Sequence, residues 1–195
     1  MRRAAILVVA VGLVAAACGR EPAQTGGPGP QPTSSPDAPA EPPPALPEAK
    51  CGGRGGGSAS NVPDFESVAV ESKGGVERVT FRFRPRDPSV TRPPSHFVRF
   101  VGGLNTDAEG VPANLEGKAF VLVVFSAFGV DLSGEEPVQI YTGPTELKPG
   151  LTTIREVEQL GDFEATISWG IGLSRRACFV VEARADRLVL EFPTT

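Results

Sequence analysis

Alternating apolar and polar positions predict a series of short β-strands from residue 62 onward. Residues 77–84 are the clearest case, because Val79, Phe81 and Phe83 share one face of an extended chain and polar residues fill the other. The same period of two runs through residues 163–169 and predicts a half-buried strand that follows a turn at residues 161–162. The inward residues predicted for this second strand are Phe163, Ala165, Ile167 and Trp169.

Residues 119–125 are apolar at every position, which predicts a central strand covered on both faces. Glycine and proline pairs, among them Gly74-Gly75, mark the turns between the strands. Eight or so short strands without a long helical period predict an all-β fold, a β-sandwich with a closed β-barrel as the alternative. One helical turn fits in the loops at residues 105–115 or 144–153. The remaining predicted strands lie at residues 68–71, 97–101, 138–141, 154–159, 179–183 and 188–192.

The first seventeen residues have the pattern of an export signal. Arg2 and Arg3 precede an uncharged run at residues 4–17, as in the basic and apolar regions of a secretory leader. A transmembrane helix is the alternative, but it needs about 20 apolar residues and this run is shorter. No longer twin-arginine motif surrounds Arg2 and Arg3, so a signal peptide for the general secretory route is predicted at residues 1–17.

Cys18 is the predicted site of lipidation. Ala15, Ala16 and Ala17 lead directly into it, and this arrangement resembles the lipobox of bacterial lipoproteins, where signal peptidase II cuts before a diacylglyceryl-modified cysteine. Cleavage by the ordinary signal peptidase is the alternative. Because each buried methylene contributes about 0.8 kcal/mol, the acyl chains of a palmitate-bearing Cys18 are sufficient to hold the protein on a membrane.

A tether is predicted at residues 18–60, between the lipidated cysteine and a folded domain at residues 61–195. The stretch is rich in proline and glycine and has Leu46 as its only large aliphatic side chain, so it cannot bury enough apolar area to offset the entropy of ordering. Its glycine-rich end at residues 52–60 is predicted to be loose linker. A phosphate-binding loop is excluded there, because no strand precedes it and no Gly-Lys-Ser/Thr ends it.

Charge and residue usage exclude several classes of function. The 23 acidic residues outnumber the 19 basic ones, so the surface as a whole does not attract nucleic acid. The chain contains a single histidine, His96, with no catalytic or metal-binding motif around it. We therefore expect no enzymatic activity, no cofactor and no metal. A carboxylate pair such as Glu156 and Asp162 is the remaining enzymatic hypothesis, and it requires the two groups to converge in a cleft.

With Cys18 assigned to lipid, two cysteines remain, Cys51 and Cys178. An even remainder in an oxidising compartment favours a disulfide between them. Two separate thiols, with Cys178 as a small core residue, are the alternative.

Several phrases of the ordered region resemble the AMIN-like domain of actinobacterial envelope lipoproteins. They are residues 77–83, the strand at 97–101, residues 161–164 leading to Trp169-Gly170-Ile171-Gly172-Leu173, and residues 187–192. The resemblance covers residues 61–192. It implies a β-sandwich related to the AMIN domains of peptidoglycan amidases and secretion proteins, located in the envelope, which bind peptidoglycan or envelope partners without catalysis.

Candidate binding residues are one aromatic side chain and two groups of arginines. Trp169 is the only tryptophan, and an exposed ring there would suit a sugar, although its phase with Phe163 and Ile167 favours the core. Gly170 and Gly172 are predicted to form a bulge or a strand end. Arginines can bind carboxylates through two parallel hydrogen bonds, so these side chains could bind the acidic groups of wall peptides or anionic wall polymers. The alternative interpretation is a solvated sheet face on which the arginines form ion pairs. The arginines in question are Arg78, Arg82, Arg84, Arg175 and Arg176.

The sequence therefore predicts a lipid-anchored protein on the extracytoplasmic face of a membrane, carrying a non-catalytic module that binds peptidoglycan or another envelope component. An adaptor that docks on an envelope enzyme or transporter is the alternative hypothesis.

Overall fold

The computed structural model describes residues 50–106 and 110–194. The predicted signal peptide, Cys18 and residues 18–49 of the predicted tether lie outside this part of the chain. The described residues form twelve β-strands and no helix. The strands are β1 (Arg54–Gly56), β2 (Asp64–Lys73), β3 (Val76–Arg84), β4 (His96–Val101), β5 (Ala119–Ser126), β6 (Val130–Asp131), β7 (Val138–Gln139), β8 (Glu146–Leu147), β9 (Ile154–Phe163), β10 (Thr166–Leu173), β11 (Val180–Arg184) and β12 (Arg187–Pro193).

Two open antiparallel sheets pack face to face, which confirms the all-β sandwich and excludes the closed barrel. One sheet has the order β1-β4-β5-β10-β9-β8 and the other the order β11-β12-β3-β2, while β6 and β7 form a separate two-stranded ribbon. The inward faces meet in one core in which Phe81 of the smaller sheet lies 5.7 Å from the ring of Trp169 in the larger one. Full burial of such side chains contributes about 1.5–3 kcal/mol each, so packing of the two inward faces stabilises the domain.

The central strand β5 is covered on both faces, as its uninterrupted apolar sequence predicts. Val121, Val123 and Phe125 are buried in the core between the sheets. On the opposite face, Phe120 and Leu122 pack against a second apolar cluster. The buried members of that cluster are Leu104, Leu115 and Leu160.

Gly170 and Gly172 allow the loop after β4 to lie directly on the outer face of β10. A Cβ at position 170 would sit 2.7 Å from Leu104 Cδ1, and one at position 172 would collide with the carbonyl oxygen of Glu116. The loop end is fixed further by the Glu116 N–H, which donates to Glu156 Oε2 at 2.5 Å. The two glycines lie within the strand rather than at its end, and the register with β9 shifts between Ser168 and Trp169, one residue before Gly170, and directly after Gly172.

The strand predicted at residues 163–169 is wrong in its first half. Strand β9 continues to Phe163, and Glu164 and Ala165 form the turn to β10 with positive φ values of 49° and 57°. Phe163 is consequently 70% exposed, whereas Ile167 and Trp169 are buried as predicted. The alternation across residues 163–169 is broken by a two-residue hairpin that contains neither glycine nor asparagine, the residues that usually mark such a turn. The turn predicted at residues 161–162 is instead part of β9.

The glycine-rich stretch at residues 52–60 is not loose linker throughout, which corrects the prediction. Residues Arg54–Gly56 form the edge strand β1 and pair with β4 in register with residues 96–98. A disulfide joins Cys51 to Cys178 across 127 positions of sequence, with the two Cα atoms 4.4 Å apart. The predicted cysteine pair is confirmed. In the chain-entropy model, a crosslink that closes so long a loop stabilises the fold by about 5 kcal/mol.

Candidate functional site

Three arginines form one row across the outer face of the four-stranded sheet. On β3, Phe81 and Phe83 are buried, so Arg82 between them projects outward. Arg82 is the register partner of Arg187 on β12, and Arg187 is in turn the partner of Arg184 on β11. Directly paired residues of antiparallel strands share a face, so Arg82, Arg184 and Arg187 lie side by side. We call these three residues the arginine row.

The arginine row carries more positive charge than its neighbours neutralise. Arg184 Nε contacts Glu182 Oε1 at 2.5 Å, and Arg187 Nε lies 3.4 Å from Asp186 Oδ1. Arg187 Nε is buried and has no hydrogen-bond partner among the described residues. Within the same part of the chain, no ion pair or hydrogen bond involves the side chain of Arg82. Like charges directly opposite on a sheet repel, so this row is a local site of positive potential that an anion would relieve.

The other arginines predicted for this face are held in ion pairs. Arg78 Nε donates to Glu191 Oε1 at 2.5 Å and Arg78 Nη1 lies 3.6 Å from Glu71 Oε1. The hydrogen bond with Glu191 raises the pKa of Arg78. Arg84 Nη2 donates to Asp64 Oδ2 at 3.1 Å. Arg78 and Arg84 therefore already have the carboxylate partners that an anionic ligand would have to replace.

Arg175 and Arg176 follow β10 and do not belong to the arginine row. The guanidinium of Arg176 lies 4.2 Å from the ring centre of Phe100, a residue of β4 in the six-stranded sheet. This is a cation–π contact, which stabilises an exposed cation by about 0.5–1 kcal/mol. The structure thus separates the predicted arginines into different surfaces.

Trp169 is completely buried in the core between the sheets. Its ring lies 6.0 Å from Phe65 and 6.0 Å from Tyr141, in addition to its contact with Phe81. A ring enclosed in this way has no face to offer a sugar in solution. Its indole N–H has no partner among the described residues.

The two carboxylates of the enzymatic hypothesis do not converge. Glu156 and Asp162 lie six residues apart on the same strand, β9, which separates them by about 15–20 Å at the usual rise of a strand. Glycosidase carboxylates are about 5–10 Å apart. The Glu156 carboxylate also has structural partners, the Glu116 N–H and the Lys148 ammonium at 3.4 Å. Within residues 50–106 and 110–194, no group of three or more acidic, histidine or cysteine side chains is placed to hold a metal ion.

Sequence reasoning missed Arg184 and Arg187, although the chain carries a signal for them. The two arginines flank Ala185 and Asp186, and a two-residue turn places the residues on either side of it opposite each other. Recognising that turn would have paired Arg184 with Arg187. Their alignment with Arg82 depends on the order of β11, β12 and β3, which local pattern does not reveal.

Comparison with known proteins identifies the family of the domain. A family model described as the AMIN-like domain matches residues 64–194, about two thirds of the chain. The chain belongs to the AMIN-like domain family. No curated protein and no solved structure gives a significant match. The matched region contains eleven of the twelve strands, β2 to β12, whereas β1 and Cys51 precede it.

Among the described residues, none forms a helix long and apolar enough to cross a membrane.

Proposed function

We propose that this protein is a membrane-anchored extracytoplasmic lipoprotein whose AMIN-like domain binds anionic groups of peptidoglycan, or of another envelope component, without catalysis. The arginine row on the outer face of the four-stranded sheet carries this proposal, because in the described part of the chain its three guanidinium groups are paired with two carboxylates, those of Glu182 and Asp186.

The chemistry of arginine fits the carboxylates of wall peptides. A guanidinium presents parallel N–H donors that match the two oxygens of a carboxylate or of a phosphate, and such charge-assisted bonds are about twice as strong as neutral ones. A row of three can engage several acidic groups of a polymer at once. Repetition of that kind raises overall affinity without requiring strong binding at any single arginine.

The leader and Cys18 support the anchor, and the disulfide supports an extracytoplasmic location. Cys18 follows a basic and apolar leader, and the acyl chains of a lipoprotein cysteine hold stably to a membrane where a single chain would not. The bond between Cys51 and Cys178 is of the kind that persists in oxidising compartments outside the cytoplasm. At about 3.1 Å per residue, the proline-rich stretch allows the domain to reach well beyond the lipid head groups.

Retention on purified wall sacculi at moderate salt tests the binding proposal. We expect the full chain to be retained, and the triple variant Arg82→Gln, Arg184→Gln and Arg187→Gln to lose about ten-fold in affinity. The matched control Arg54→Gln, Arg92→Gln and Arg99→Gln removes the same charge elsewhere. Equal losses in both triple variants would show attraction by charge alone, and retention no better than that of an unrelated acidic domain would contradict wall binding.

Metabolic labelling with a clickable palmitate analogue tests the anchor. We expect label on the wild-type chain and none on Cys18→Ser, which should also leave the membrane fraction. An unlabelled wild-type chain that fractionates like the variant would contradict the proposed anchoring.

A further inference from the structure

A groove at one end of the sandwich lies between the loop that enters β6 and the turn from β9 to β10. It has a volume of about 360 Å³, within the range of small ligand sites. Four apolar side chains and two carboxylates line most of it. They are Phe128, Val130, Leu132, Phe163, Asp162 and Glu164.

The lining of the groove is acidic, and the guanidinium of Arg86, which lies 4.2 Å from the ring centre of Phe128, is already paired with Asp64 and Asp131. Asp162 and Glu164 are acidic, and no lysine or arginine is among the described residues that line it. No hydrogen bond or ion pair of the described residues involves the Asp162 carboxylate, and partial burial raises its pKa. Asp162 lies at the surface, so its carboxylate is open to a ligand that enters the groove.

Gly129 faces the Asp162 carboxylate across the groove. A Cβ at position 129 would collide with Asp162 Oδ2, so a larger residue there would force the Asp162 side chain to turn away from its present position. On the other side, Glu164 and Ala165 both adopt positive φ, which costs about 1–2 kcal/mol for each residue that is not glycine. Strain of this kind is more frequent at ligand sites than elsewhere.

The rim of the groove exposes large apolar side chains to solvent. Leu132 and Phe163 are each 70% exposed, more than any other large apolar residue of the described part. They stand beside the two carboxylates, so the surface joins an apolar wall to an anionic group. A ligand that matches both must carry methylenes and a positive charge together.

We propose that this end groove binds an aminoalkyl group, namely the ammonium-terminated side chain of a lysine-like residue in a peptide. The ammonium sits between Asp162 and Glu164, and the methylenes pack against Phe163 and Leu132. This site goes beyond the proposed function and is opposite in charge to the arginine row. Its ligand is a cation, so either site can exist without the other.

NMR titration of the ¹⁵N-labelled full chain tests the groove, with Nα-acetyl-L-lysine N-methylamide as the probe. We expect chemical-shift changes at the amides of Gly129, Asp162 and Ala165. The probe Nα-acetyl-L-norleucine N-methylamide keeps the four-carbon apolar chain and lacks the terminal ammonium group, and we expect it to bind about ten-fold more weakly.

Matched variants complete the test. Asp162→Asn and Glu164→Gln should each weaken lysine-probe binding several-fold, whereas Glu71→Gln, the same change at the far end of β2, should not. Phe163→Ala, which removes an exposed ring, should weaken both probes. The proposal is wrong if no shifts appear at the groove, if the two probes bind equally, or if Glu71→Gln weakens binding as much as Asp162→Asn. The triple variant of the arginine row should bind the lysine probe normally, which separates failure here from failure of the wall-binding proposal.

Discussion

Glu77 lies on the inward face of β3, in phase with Val79 and Phe81, and is almost fully buried. Its carboxylate accepts four hydrogen bonds from three consecutive backbone N–H groups, those of Thr152, Thr153 and Ile154, at 2.7–3.1 Å. Strand β3 belongs to the smaller sheet and Ile154 begins β9 of the larger one. This single side chain therefore ties the two sheets together.

Replacing Glu77 by Gln should destabilise the domain by about 2–4 kcal/mol. The NH₂ group of glutamine would face backbone N–H donors and could not accept the hydrogen bonds that the second carboxylate oxygen accepts. Chemical denaturation of the full chain measures the loss. Glu66→Gln, an exposed change on β2, should stay within about 0.5 kcal/mol of wild type. A Glu77→Gln variant as stable as Glu66→Gln would show that the four hydrogen bonds contribute little.

The Asp162 carboxylate should lower the stability of the domain by an amount that depends on pH. Burial raises the pKa of its carboxyl, so the folded state binds a proton more readily than the unfolded state and stability decreases as pH rises through that interval. We expect Asp162→Asn to have a higher Tm than wild type at pH 7, and the gain to vanish below about pH 4, where the aspartate is protonated in both states.

Asp87 provides a control of opposite sign for thermal unfolding between pH 3 and 7. Hydrogen bonds from the Ser89 side chain and backbone lower the pKa of Asp87, so Asp87→Asn should lower the Tm at pH 7. A gain from Asp162→Asn that persists unchanged at pH 3 would show that its cause is not ionisation.

At the residue scale, the sequence predicts burial better than it predicts partners. The period of two correctly places Trp169 inside and Arg82 outside. It does not show that Arg78 is paired with Glu191, because those two residues are 113 positions apart and meet only through the order of the strands. Glu77 carries a local signal, since an acidic residue in an inward phase requires partners.

The strand β10 explains the most specific phrase of the family resemblance. Its large residues Trp169, Ile171 and Leu173 face the core, while Gly170 and Gly172 leave a shallow surface for the loop after β4. These residues therefore allow packing on both faces of β10, with the core between the sheets on one side and the loop after β4 on the other. No ligand is needed to account for it.

Gly172→Ala should destabilise the domain by about 1–3 kcal/mol, because the added methyl group forces the backbone at Glu116 away from β10. Thermal or denaturant unfolding gives the value. Gly102→Ala is the matched control, since a Cβ at position 102 meets nothing within 4 Å. If both changes cost the same, close approach of the loop is not the reason for glycine at position 172.

At the element scale, most strands follow from the pattern and the exceptions have physical causes. The hairpin at Glu164 and Ala165 was missed because its residues do not favour positive φ. Strand β1 was missed because the composition of residues 52–60 is typical of linkers. The glycines do not favour a strand by themselves, and β1 is held by its pairing with β4 and by the nearby disulfide.

For the whole molecule, the sequence is sufficient for the fold class and the family, whereas the candidate sites depend on topology. The arginine row exists because β11, β12 and β3 are neighbours, and the end groove because the loop before β6 meets the β9–β10 turn. Both are assembled from residues far apart in sequence. The leader and Cys18 remain predictions of the sequence.

Arginine-specific footprinting tests most directly the claim that the arginine row is the binding face. The full chain is treated with phenylglyoxal, free and bound to sacculi, and modification at each arginine is measured by mass spectrometry. We predict protection of Arg82, Arg184 and Arg187 on binding and unchanged modification of Arg54, Arg92 and Arg99. Bound protein in which the arginine row stays as reactive as in the free chain would contradict the account.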